Sequence, residues 1–436
     1  MGLITYNAKM LVRLAVKRSP YFHAALAELE EFRRLQAYEQ RAEQLRLLEE
    51  LLEVAEGAPY YAEALAASRR IDNPMERLKR LAPVSKEDVR RAPRAFCTGR
   101  WGVIPAHTSG TTGTPLRLRR DVYSVAREEA GFFRWYVDHG YAGHETMGVL
   151  RGDVVVPARR IIPPFGVRDY IFNRYVFSSY HLADRTMGWY VRKMREEEVR
   201  TLAAYPSSAY VLAEYMRRSG AEPLRLAGVF LASETVMEWQ RSVIEAYLGP
   251  VHAQYGNAER VAWMTTCEAG YYHEDTQYGL VEYMPAGEGM FEIVATGLTN
   301  AAMPLVRYRT GDLAIEPFGF EQRCACGRLG PGCRQIIGRM DDVVVTPDGR
   351  KIGRLDHVFK GVAHVIAAQI VQETRERVVI KIVRDDEYTR ADEEQIREQF
   401  AARAGAGMEV KCEYVEALPR GPGGKFRAVI SHVKEG

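Results

Sequence analysis

Short apolar runs alternate with helix-patterned segments through the middle of this chain. DVVVP (153–157) and AGVFLAS (227–233) have the composition of strands, whereas TMGWYVRKMREEEVRTL (186–202) and ETVMEWQRSVIEAYLG (234–249) carry apolar residues at helical spacing. This alternation is typical of an α/β fold in which helices cover a mixed sheet. With 436 residues, 47% of them hydrophobic, the chain is long enough for two or more domains.

The pattern changes twice further along the chain. MFEIVATG (290–297) and LVRYRTGDLAIEP (305–317) predict a more β-rich layer, and three strands with one helix, over about Ala391 to Ala404, are predicted beyond IIGRMDD. We therefore predict a large multi-layer domain over residues 1–340 and a small, mobile α+β domain over residues 341–436. A helical start over residues 1–85 opens the first domain, with one long helix from about Ala25 to Glu56.

The first residues, MGLITYNAKMLVRLAVKRSP, allow two interpretations. They could form a basic amphipathic helix lying on a membrane, or a terminal helix docked on its own domain, which is the commoner case. No stretch approaches the roughly 18 apolar residues of a spanning helix, so we expect no transmembrane segment and no secretion.

Charge and cysteine content argue against a nucleic-acid-binding protein and against a disulfide-stabilised one. The net charge is +3, spread over 60 basic and 57 acidic residues, and no nucleic-acid signature is present. Six cysteines are too few and too clustered for a disulfide scaffold in so large a chain, so we expect a cytoplasmic protein with a metal site.

The segment HTSGTTGTPLRLRRD, from His107, combines hydroxyls and glycines ahead of a helix that Asp121 is placed to cap. Glycines let backbone N–H groups turn inward around an anion, and Ser and Thr hydroxyls donate further hydrogen bonds, so the segment suits phosphate. It lacks the lysine of a P-loop, and a flexible surface turn is the alternative interpretation.

Four further motifs follow this loop in order: YGNAE (255–259), RYRTGD (307–312), GRMDD (338–342) and PRGPGGK ending at Lys425. Together the five motifs resemble the adenylate-forming (AMP-binding) acyl ligase superfamily, and within it the phenylacetate-CoA ligase branch and the CapK-like, coenzyme F390 synthetase-like proteins. The resemblance covers essentially the whole chain. It implies a large adenylation domain followed by a small domain that rotates about a hinge at Asp341.

The resemblance also implies how ATP is bound. Its phosphates would be wrapped by the loop residues Thr108, Ser109, Gly110, Thr111, Thr112 and Gly113. The remaining nucleotide contacts would come from Ser233, Glu234 and Thr235 along the adenine, Tyr255 stacked on the purine with Gly256 after it, and Asp312 and Arg339 at the ribose or α-phosphate.

The same resemblance assigns the catalytic groups. Glu259 would hold Mg²⁺, and Lys425 would reach the carboxylate and α-phosphate during adenylation, with Arg339 assisting. Two positions depart from the superfamily: Leu116 replaces a usual lysine, and Ala258 replaces a usual Thr or Ser. Arg117 or Arg119 could substitute for that lysine, the alternative being that both lie on a solvated strand face.

A second constellation consists of CAC (324–326) and the upstream segment CEAGYYH (267–273). Cys267, His273, Cys324 and Cys326 make a soft donor set of the kind Zn²⁺ prefers, and the phenylacetate-CoA ligase branch carries this pattern, so the resemblance implies a structural zinc. Two alternatives stay open: independent buried thiols, or Cys333 in place of His273.

We expect a two-step ligase. ATP and a small carboxylic acid, with a weak preference for an aryl acid, would give an acyl-adenylate, and an acceptor would then attack the carbonyl. Coenzyme A is the expected acceptor, and an amine, a hydroxyl or a carrier protein are the alternative acceptors. The alternative function is that of a catalytically inactive nucleotide-binding module.

The acid is predicted to bind between Phe177–His181 and RVAWM (260–264), in contact with Tyr180, His181 and Trp263. The alternative for each of these three side chains is that it packs in the protein and does not contact the substrate. A monomer or a homodimer is expected.

Overall fold

The structure is a computed structural model that describes residues 3–107, 116–157, 159–339, 344–349, 351–352, 355–359, 362, 364–405, 407–419 and 426–433. Its largest element is a twelve-stranded sheet with helices packed against it. The α/β class predicted from the alternating pattern is therefore confirmed. Among the described residues, no helix is both long enough and apolar enough to cross a bilayer.

Six helices open the chain: α1 (Leu3–Lys17), α2 (Pro20–Arg34), α3 (Ala37–Ala55), α4 (Ala62–Ser68), α5 (Pro74–Lys79) and α6 (Lys86–Arg91). The prediction of one long helix from Ala25 to Glu56 is wrong, because the helix breaks between α2 and α3. The physical reason is a new helix start at Gln36, whose backbone N–H donates to the Glu39 carboxylate at 2.7 Å and forms a capping box.

The first helix is docked on the chain's own fold, as the commoner interpretation expects. Tyr6 and Met10 are buried, and the Asn7 side chain donates to the Arg168 carbonyl at 3.0 Å. The Lys17 ammonium lies 2.5 Å from the Glu129 carboxylate of a later helix. One face of α1 is thus fixed by apolar packing, a hydrogen bond and an ion pair.

A small hairpin precedes the first long internal helix. It pairs β1 (Ile104–His107) with β2 (Arg117–Arg120), and α7 (Val122–Asp138) follows directly. Asp121 caps α7 as predicted, since its carboxylate accepts from the Ser124 N–H at 2.7 Å.

The first half of the large sheet is parallel apart from its edge strand β4. Its strands are β3 (Met147–Arg151), β4 (Gly166–Asp169), β5 (Arg174–Ser178), β6 (Thr201–Ala204), β7 (Gly228–Ala232) and β8 (Val251–Gly256). They lie in the order β4-β5-β3-β6-β7-β8, and the accompanying helices are α8 (Asp184–Glu196), α9 (Pro206–Ser219) and α10 (Glu238–Tyr247). The carboxyl ends of parallel strands are where ligands bind in such sheets.

One strand prediction in this half is wrong. DVVVP forms no strand, and the strand is instead MGVLR just before it, which pairs with both β5 and β6. The apolar character of DVVVP comes from Val155 and Val156, which are buried under a loop without joining the ladder.

The second half of the sheet is antiparallel, which confirms the predicted β-rich layer. Its strands are β9 (Trp263–Thr266), β10 (Tyr272–Glu274), β11 (Gly279–Gly287), β12 (Met290–Gly297), β13 (Tyr308–Phe318) and β14 (Gly332–Arg339). Continuing from β8, they lie in the order β9-β10-β14-β13-β12-β11. Because β13 and β14 are neighbours, residues 308–312 of RYRTGD at the start of β13 lie on the strand next to Gly338 and Arg339, the first two residues of GRMDD, at the end of β14.

The last part of the chain forms a second, smaller sheet. After the short pair β15 (Val344–Val345) and β16 (Lys351–Ile352) come β17 (Val365–Gln372), β18 (Arg377–Arg384), α11 (Arg390–Ala404), β19 (Glu409–Tyr414) and β20 (Val429–Ser431). The strand order is β19-β18-β17-β20, and Ile370, Ile380, Ile396 and Phe400 form part of a separate core. The predicted hinge, Asp341, lies outside the described residues, and the boundary there stays a prediction.

Candidate active site

Two tyrosine–carboxylate hydrogen bonds join the YGNAE and RYRTGD motifs. The Tyr255 hydroxyl donates to Asp312 Oδ2 at 2.7 Å, and the Tyr308 hydroxyl donates to Glu259 Oε1 at 2.9 Å. Asp312 also lies opposite Arg339 in the β13–β14 register, which brings in the GRMDD motif. We call Tyr255, Glu259, Tyr308 and Asp312 the nucleotide edge. Three predicted nucleotide-binding motifs therefore meet at one place on the sheet.

The phenol of Tyr255 is held in its protonated form. Burial, together with the neighbouring Asp312 charge, raises the pKa of Tyr255 well above its ordinary value. The hydroxyl therefore acts as a donor to Asp312 across the neutral pH range. Stacking of Tyr255 on the purine stays a prediction, as does the position of Gly256, which ends β8.

The phosphate loop is described only at its two ends, since residues 108–113 lie outside the described residues. His107 and Arg117 pair across the hairpin base, and the Arg120 guanidinium donates to the Ala258 carbonyl within YGNAE. The hairpin that carries the loop is thus attached to the segment that carries Glu259.

Leu116, which stands where the superfamily usually has lysine, packs in the hydrophobic core. Leu116 is 1% exposed and belongs to the same hydrophobic cluster as Tyr308, whereas Arg117 and Arg119 are exposed on the other side of β2. Burial of Leu116 explains why the position is apolar here. Substitution by either arginine at the phosphates stays a prediction.

The predicted adenine segment follows β7 through a sharp backbone turn, because Ser233 has φ of +73°. Next to it, Glu234 Oε2 accepts from the Ser207 N–H at 3.0 Å and Glu234 Oε1 accepts from the Phe426 N–H at 2.6 Å. Phe426 is the residue after Lys425, which itself lies outside the described residues. The chain therefore leaves the lysine loop beside this segment. Thr235 is half-buried.

His181 is the best-defined residue of the predicted acid site. It is 8% exposed, its ring stacks on Phe165 with centroids 5.1 Å apart, and its Nδ1 lies 2.8 Å from the Ser178 hydroxyl. Its Nε2 is buried and has no hydrogen-bond partner among the described residues. That nitrogen has the unmet hydrogen-bonding capacity that a ligand group would satisfy.

The other two predicted acid-site residues have partners within the protein. The Tyr180 hydroxyl donates to the Gly152 carbonyl at 3.1 Å. The Trp263 indole N–H donates to Gln254 at 2.7 Å, and its ring packs against Phe132 at 5.3 Å between centroids. Trp263 is thus integrated in the core, and substrate contact by either residue stays a prediction.

Sequence reasoning missed Arg151 at the carboxyl end of β3. Arg151 lies opposite Ser178 in the β3–β5 register, and its Nε and Nη2 atoms are buried with no hydrogen-bond partner among the described residues. Two buried guanidinium nitrogens without hydrogen-bond partners are costly, so an anion that accepts from them would be stabilised. The available signal was an arginine directly after the apolar run MGVL at a strand end.

Four soft donors converge beside β10. Ligand atoms of Cys267, His273, Cys324 and Cys326, which we call the metal group, all lie within 4.8 Å of one another. The Cys267 and Cys324 sulfurs are 3.8 Å apart, and Cys326 Sγ lies 3.5 Å from His273 Nε2. Three sulfurs and one imidazole nitrogen at these separations fit a tetrahedral zinc ion.

Cys333 is not part of this group. It is fully buried and lies opposite Tyr272 in the β10–β14 pair, where burial and the nearby Glu274 raise its pKa. The structure therefore places His273, and not Cys333, with the other three ligand candidates.

Known proteins are similar to this chain over different parts of its length. The CapK C-terminal domain family matches residues 344–432. Protein CapK of Staphylococcus aureus is 24% identical over 82% of this chain and 81% of its own length. Phenylacetate-coenzyme A ligase of Thermus thermophilus is 27% identical over 52% of this chain and 59% of its own length.

The predicted likeness to CapK-like adenylate-forming ligases is confirmed. Solved structures of other proteins share the fold of this chain. 2-Hydroxyisobutyryl-CoA ligase in complex with 2-HIB-AMP superposes with a TM-score of 0.69 at 18% identity, covering 91% of this chain and 90% of its own. The amide bond synthetase McbA from Marinactinospora thermotolerans superposes with a TM-score of 0.51 at 16% identity, covering 74% of this chain and 67% of its own.

Proposed function

We propose that this chain is an AMP-forming ligase. It activates a carboxylic acid with ATP to an acyl-adenylate, releases pyrophosphate and then transfers the acyl group to an acceptor. The observation that carries the proposal is the nucleotide edge, because it joins YGNAE to RYRTGD through two hydrogen bonds and places Arg339 opposite Asp312.

The residues take distinct roles in the first half-reaction. A substrate carboxylate oxygen attacks the α-phosphorus of ATP, the bond to the bridging oxygen breaks, and pyrophosphate leaves. Negative charge grows on the phosphate oxygens, so a positioned Lys425 ammonium with Arg339 would stabilise it without a covalent intermediate. Asp312 would accept hydrogen bonds from the ribose hydroxyls while Tyr255 orients its carboxylate.

Glu259 would hold Mg²⁺, which prefers oxygen ligands and neutralises charge on the phosphates. The hydrogen bond from Tyr308 fixes one oxygen of that carboxylate. The 108–113 loop would surround the phosphates, since its hairpin is attached to Ala258 of the same segment.

The metal group would hold a structural Zn²⁺. With four protein donors the ion has no open position for water, so it would pin the 324–326 turn to β10 and take no part in catalysis. Metal analysis of protein purified without chelators tests this directly. We expect about one zinc per chain, and metal-free protein would refute the proposal.

We propose coenzyme A as the acceptor, because two proteins similar to this chain are named as CoA ligases. The McbA fold favours a second candidate, an amide-forming enzyme that uses the same first half-reaction on an amine. Ala258 and the buried Leu116 favour a third, a nucleotide-binding module without activity. We further propose a cytoplasmic location, from the cysteine usage.

Pyrophosphate exchange with a panel of carboxylic acids tests the proposal. Exchange that depends on one acid and not on coenzyme A supports an adenylate-forming enzyme, and product analysis with coenzyme A or amines then identifies the acceptor. A Lys425→Ala variant should lose exchange while it keeps its thermal midpoint. The matched control is Lys411→Ala, which replaces an exposed lysine on β19. Exchange that is unchanged in Lys425→Ala would reject the role of this lysine.

A further inference from the structure

Buried polar groups without partners gather where β3 and β5 end. Arg151 ends β3, and its Nε and Nη2 atoms are buried with no hydrogen-bond partner among the described residues. On β5 its register partner is Ser178, whose hydroxyl lies 2.8 Å from His181 Nδ1. Ser179 Oγ and His181 Nε2 are also buried and without a partner in the described part of the chain. A guanidinium and a hydroxyl donate hydrogen bonds, so a ligand here has to supply acceptors.

Two carboxylates lie in the same part of the molecule, but neither satisfies Arg151. Burial raises the pKa of Tyr205, and the charges of Arg151, Asp153 and Glu234 also act on it, so all three charged groups lie near this phenol. Asp153 is exposed. The Glu234 oxygens accept from two backbone N–H groups, at 3.0 and 2.6 Å. The buried side of the Arg151 guanidinium therefore still requires an anion.

The two unpaired nitrogens of Arg151 are the pair that binds carboxylates elsewhere in this protein. Arg217 Nε and Nη2 donate to the two oxygens of Glu214 at 2.8 and 2.7 Å. Arg307 Nε and Nη2 donate to the two oxygens of Glu282, both at 2.9 Å. This planar fork matches the geometry of a carboxylate. Arg151 has the same edge of its guanidinium buried, so a carboxylate is the ligand that it fits.

The register of the parallel strands gives the separation between Arg151 and the nucleotide edge. One row of paired residues crosses β3, β6, β7 and β8 through Leu150, Ala204, Leu231 and Ala253. Arg151 follows this row by one residue on β3, and Tyr255 follows it by two on β8. Since neighbouring strands are about 4.8 Å apart, three gaps separate the two backbones by roughly 14 Å. This separation favours one anion for Arg151 and a different one for the reaction at the nucleotide edge.

We propose that the acid activated by this protein is a dicarboxylic acid, and that Arg151 binds the carboxylate that is not adenylated. One end of the substrate reacts with ATP at the nucleotide edge, and the other end stays ionised at the carboxyl end of β3. Ser179 and His181 would complete the hydrogen bonding there. The inference rests on the proposed function, because it assigns the substrate class of the same site.

Pyrophosphate exchange with matched pairs of acids tests the inference. The diacids are succinate, adipate and terephthalate, and their partners are butanoate, hexanoate and 4-methylbenzoate. For at least one pair, wild-type kcat/KM should be about 10- to 100-fold higher for the diacid, the range for hydrogen bonds between charged groups. In Arg151→Gln this advantage should fall below about threefold through a higher KM for the diacid, because the lost contact exists before and during the reaction.

Two further variants separate recognition from folding. Arg192→Gln, which removes an exposed arginine on α8, should keep the wild-type preference. Arg151→Lys keeps the charge without the planar fork, so it should retain part of the preference. The preferred diacid should raise the thermal midpoint of the wild type but not that of Arg151→Gln. Without ligand, Arg151→Gln should be at least as stable as the wild type, since it removes a buried charge that lacks a partner.

Two results would overturn the inference: a wild type that uses the monoacids as well as the diacids, or an Arg151→Gln variant that keeps the diacid preference. If no acid supports exchange, the proposed ligase function fails, and calorimetry with the same diacids then tests Arg151 separately. Diacid binding that is lost in Arg151→Gln would retain the anion site, and absence of binding to the wild type would reject it.

Discussion

The nucleotide edge, which joins β8 to β13, and the metal group beside β10 are held together in different ways. At the nucleotide edge each carboxylate accepts a hydrogen bond from a tyrosine of another motif. In the metal group the donor atoms face mainly one another, with sulfurs 3.8 Å apart. The first arrangement is completed by hydrogen bonds within the protein, whereas the second, in our proposal, is completed by a bound Zn²⁺. Single substitutions should therefore reduce activity by differing amounts at the nucleotide edge, whereas loss of any ligand of the metal group should abolish metal binding altogether.

The largest effect is expected at the metal group. Cys324→Ser/Cys326→Ser should remove the ion and lower the free energy of unfolding by more than about 4 kcal/mol, as loss of a structural metal does. Chemical denaturation with metal analysis measures it. Cys97→Ser is the control, because Cys97 lies outside the group and its thiol contacts only the Pro93 carbonyl among the hydrogen bonds described. Equal stabilities of the two variants would contradict the comparison.

The next largest effect is expected where the phosphate hairpin joins the core. Leu116→Lys restores the usual residue of the superfamily but buries an ammonium at a position that is 1% exposed. We expect a loss of about 3 kcal/mol in unfolding free energy, because the charge has to be desolvated or the packing opened. Arg117→Lys, one residue on and exposed, should be neutral. A stable Leu116→Lys protein with faster exchange would show that this hairpin is adaptable.

A smaller, purely functional effect is expected at the ribose position. Asp312→Asn removes the charge that accepts from Tyr255 and, in the proposal, from ATP. The rate of pyrophosphate exchange at limiting ATP should fall about 10- to 100-fold, the range for hydrogen bonds to a charged group. Glu316→Gln on the same strand, exposed and paired with Arg334, should leave the rate unchanged. If Asp312→Asn instead unfolds the protein, the edge is structural, and the contrast with the metal group fails.

The smallest effect is expected from a single neutral donor. Tyr308→Phe keeps the buried ring but removes the hydrogen bond to Glu259, so the magnesium requirement for exchange should rise about fivefold, equivalent to about 1 kcal/mol. Titration of Mg²⁺ at fixed ATP measures this. Tyr60→Phe is the control, because Tyr60 is an exposed tyrosine whose ring stacks on Phe96 of the cluster that contains Tyr308. No change in the titration would indicate that Tyr308 serves packing alone.

For the parts of the candidate site that lie within motifs, the sequence alone predicted which residues come together. Tyr255, Glu259 and Asp312 are brought together as predicted, and Cys267, His273, Cys324 and Cys326 converge. Their proximity could be predicted because each motif lies at a strand end or turn of its own, and the roles of these residues stay predictions.

Other features depend on long-range packing that a single sequence does not display. The break between α2 and α3 arises from a cap at Gln36, a residue type outside the usual capping set. The buried valines of DVVVP mimic a strand because periodicity records burial and not backbone pairing. Arg151 and the unpaired nitrogen of His181 become visible only when the ends of β3 and β5 are seen side by side.

The Glu234 carboxylate connects the large sheet's layer to the chain next to the small sheet. Glu234 accepts from Ser207 in the large sheet's layer with one oxygen and from Phe426 near the small sheet with the other. A rotation of the small sheet away from this arrangement would exchange the Phe426 hydrogen bond for water, at a net cost of about 2 kcal/mol for a bond to a charged group. In the proposed ligase cycle, this hydrogen bond is weak enough to break and re-form with each rotation of the small sheet.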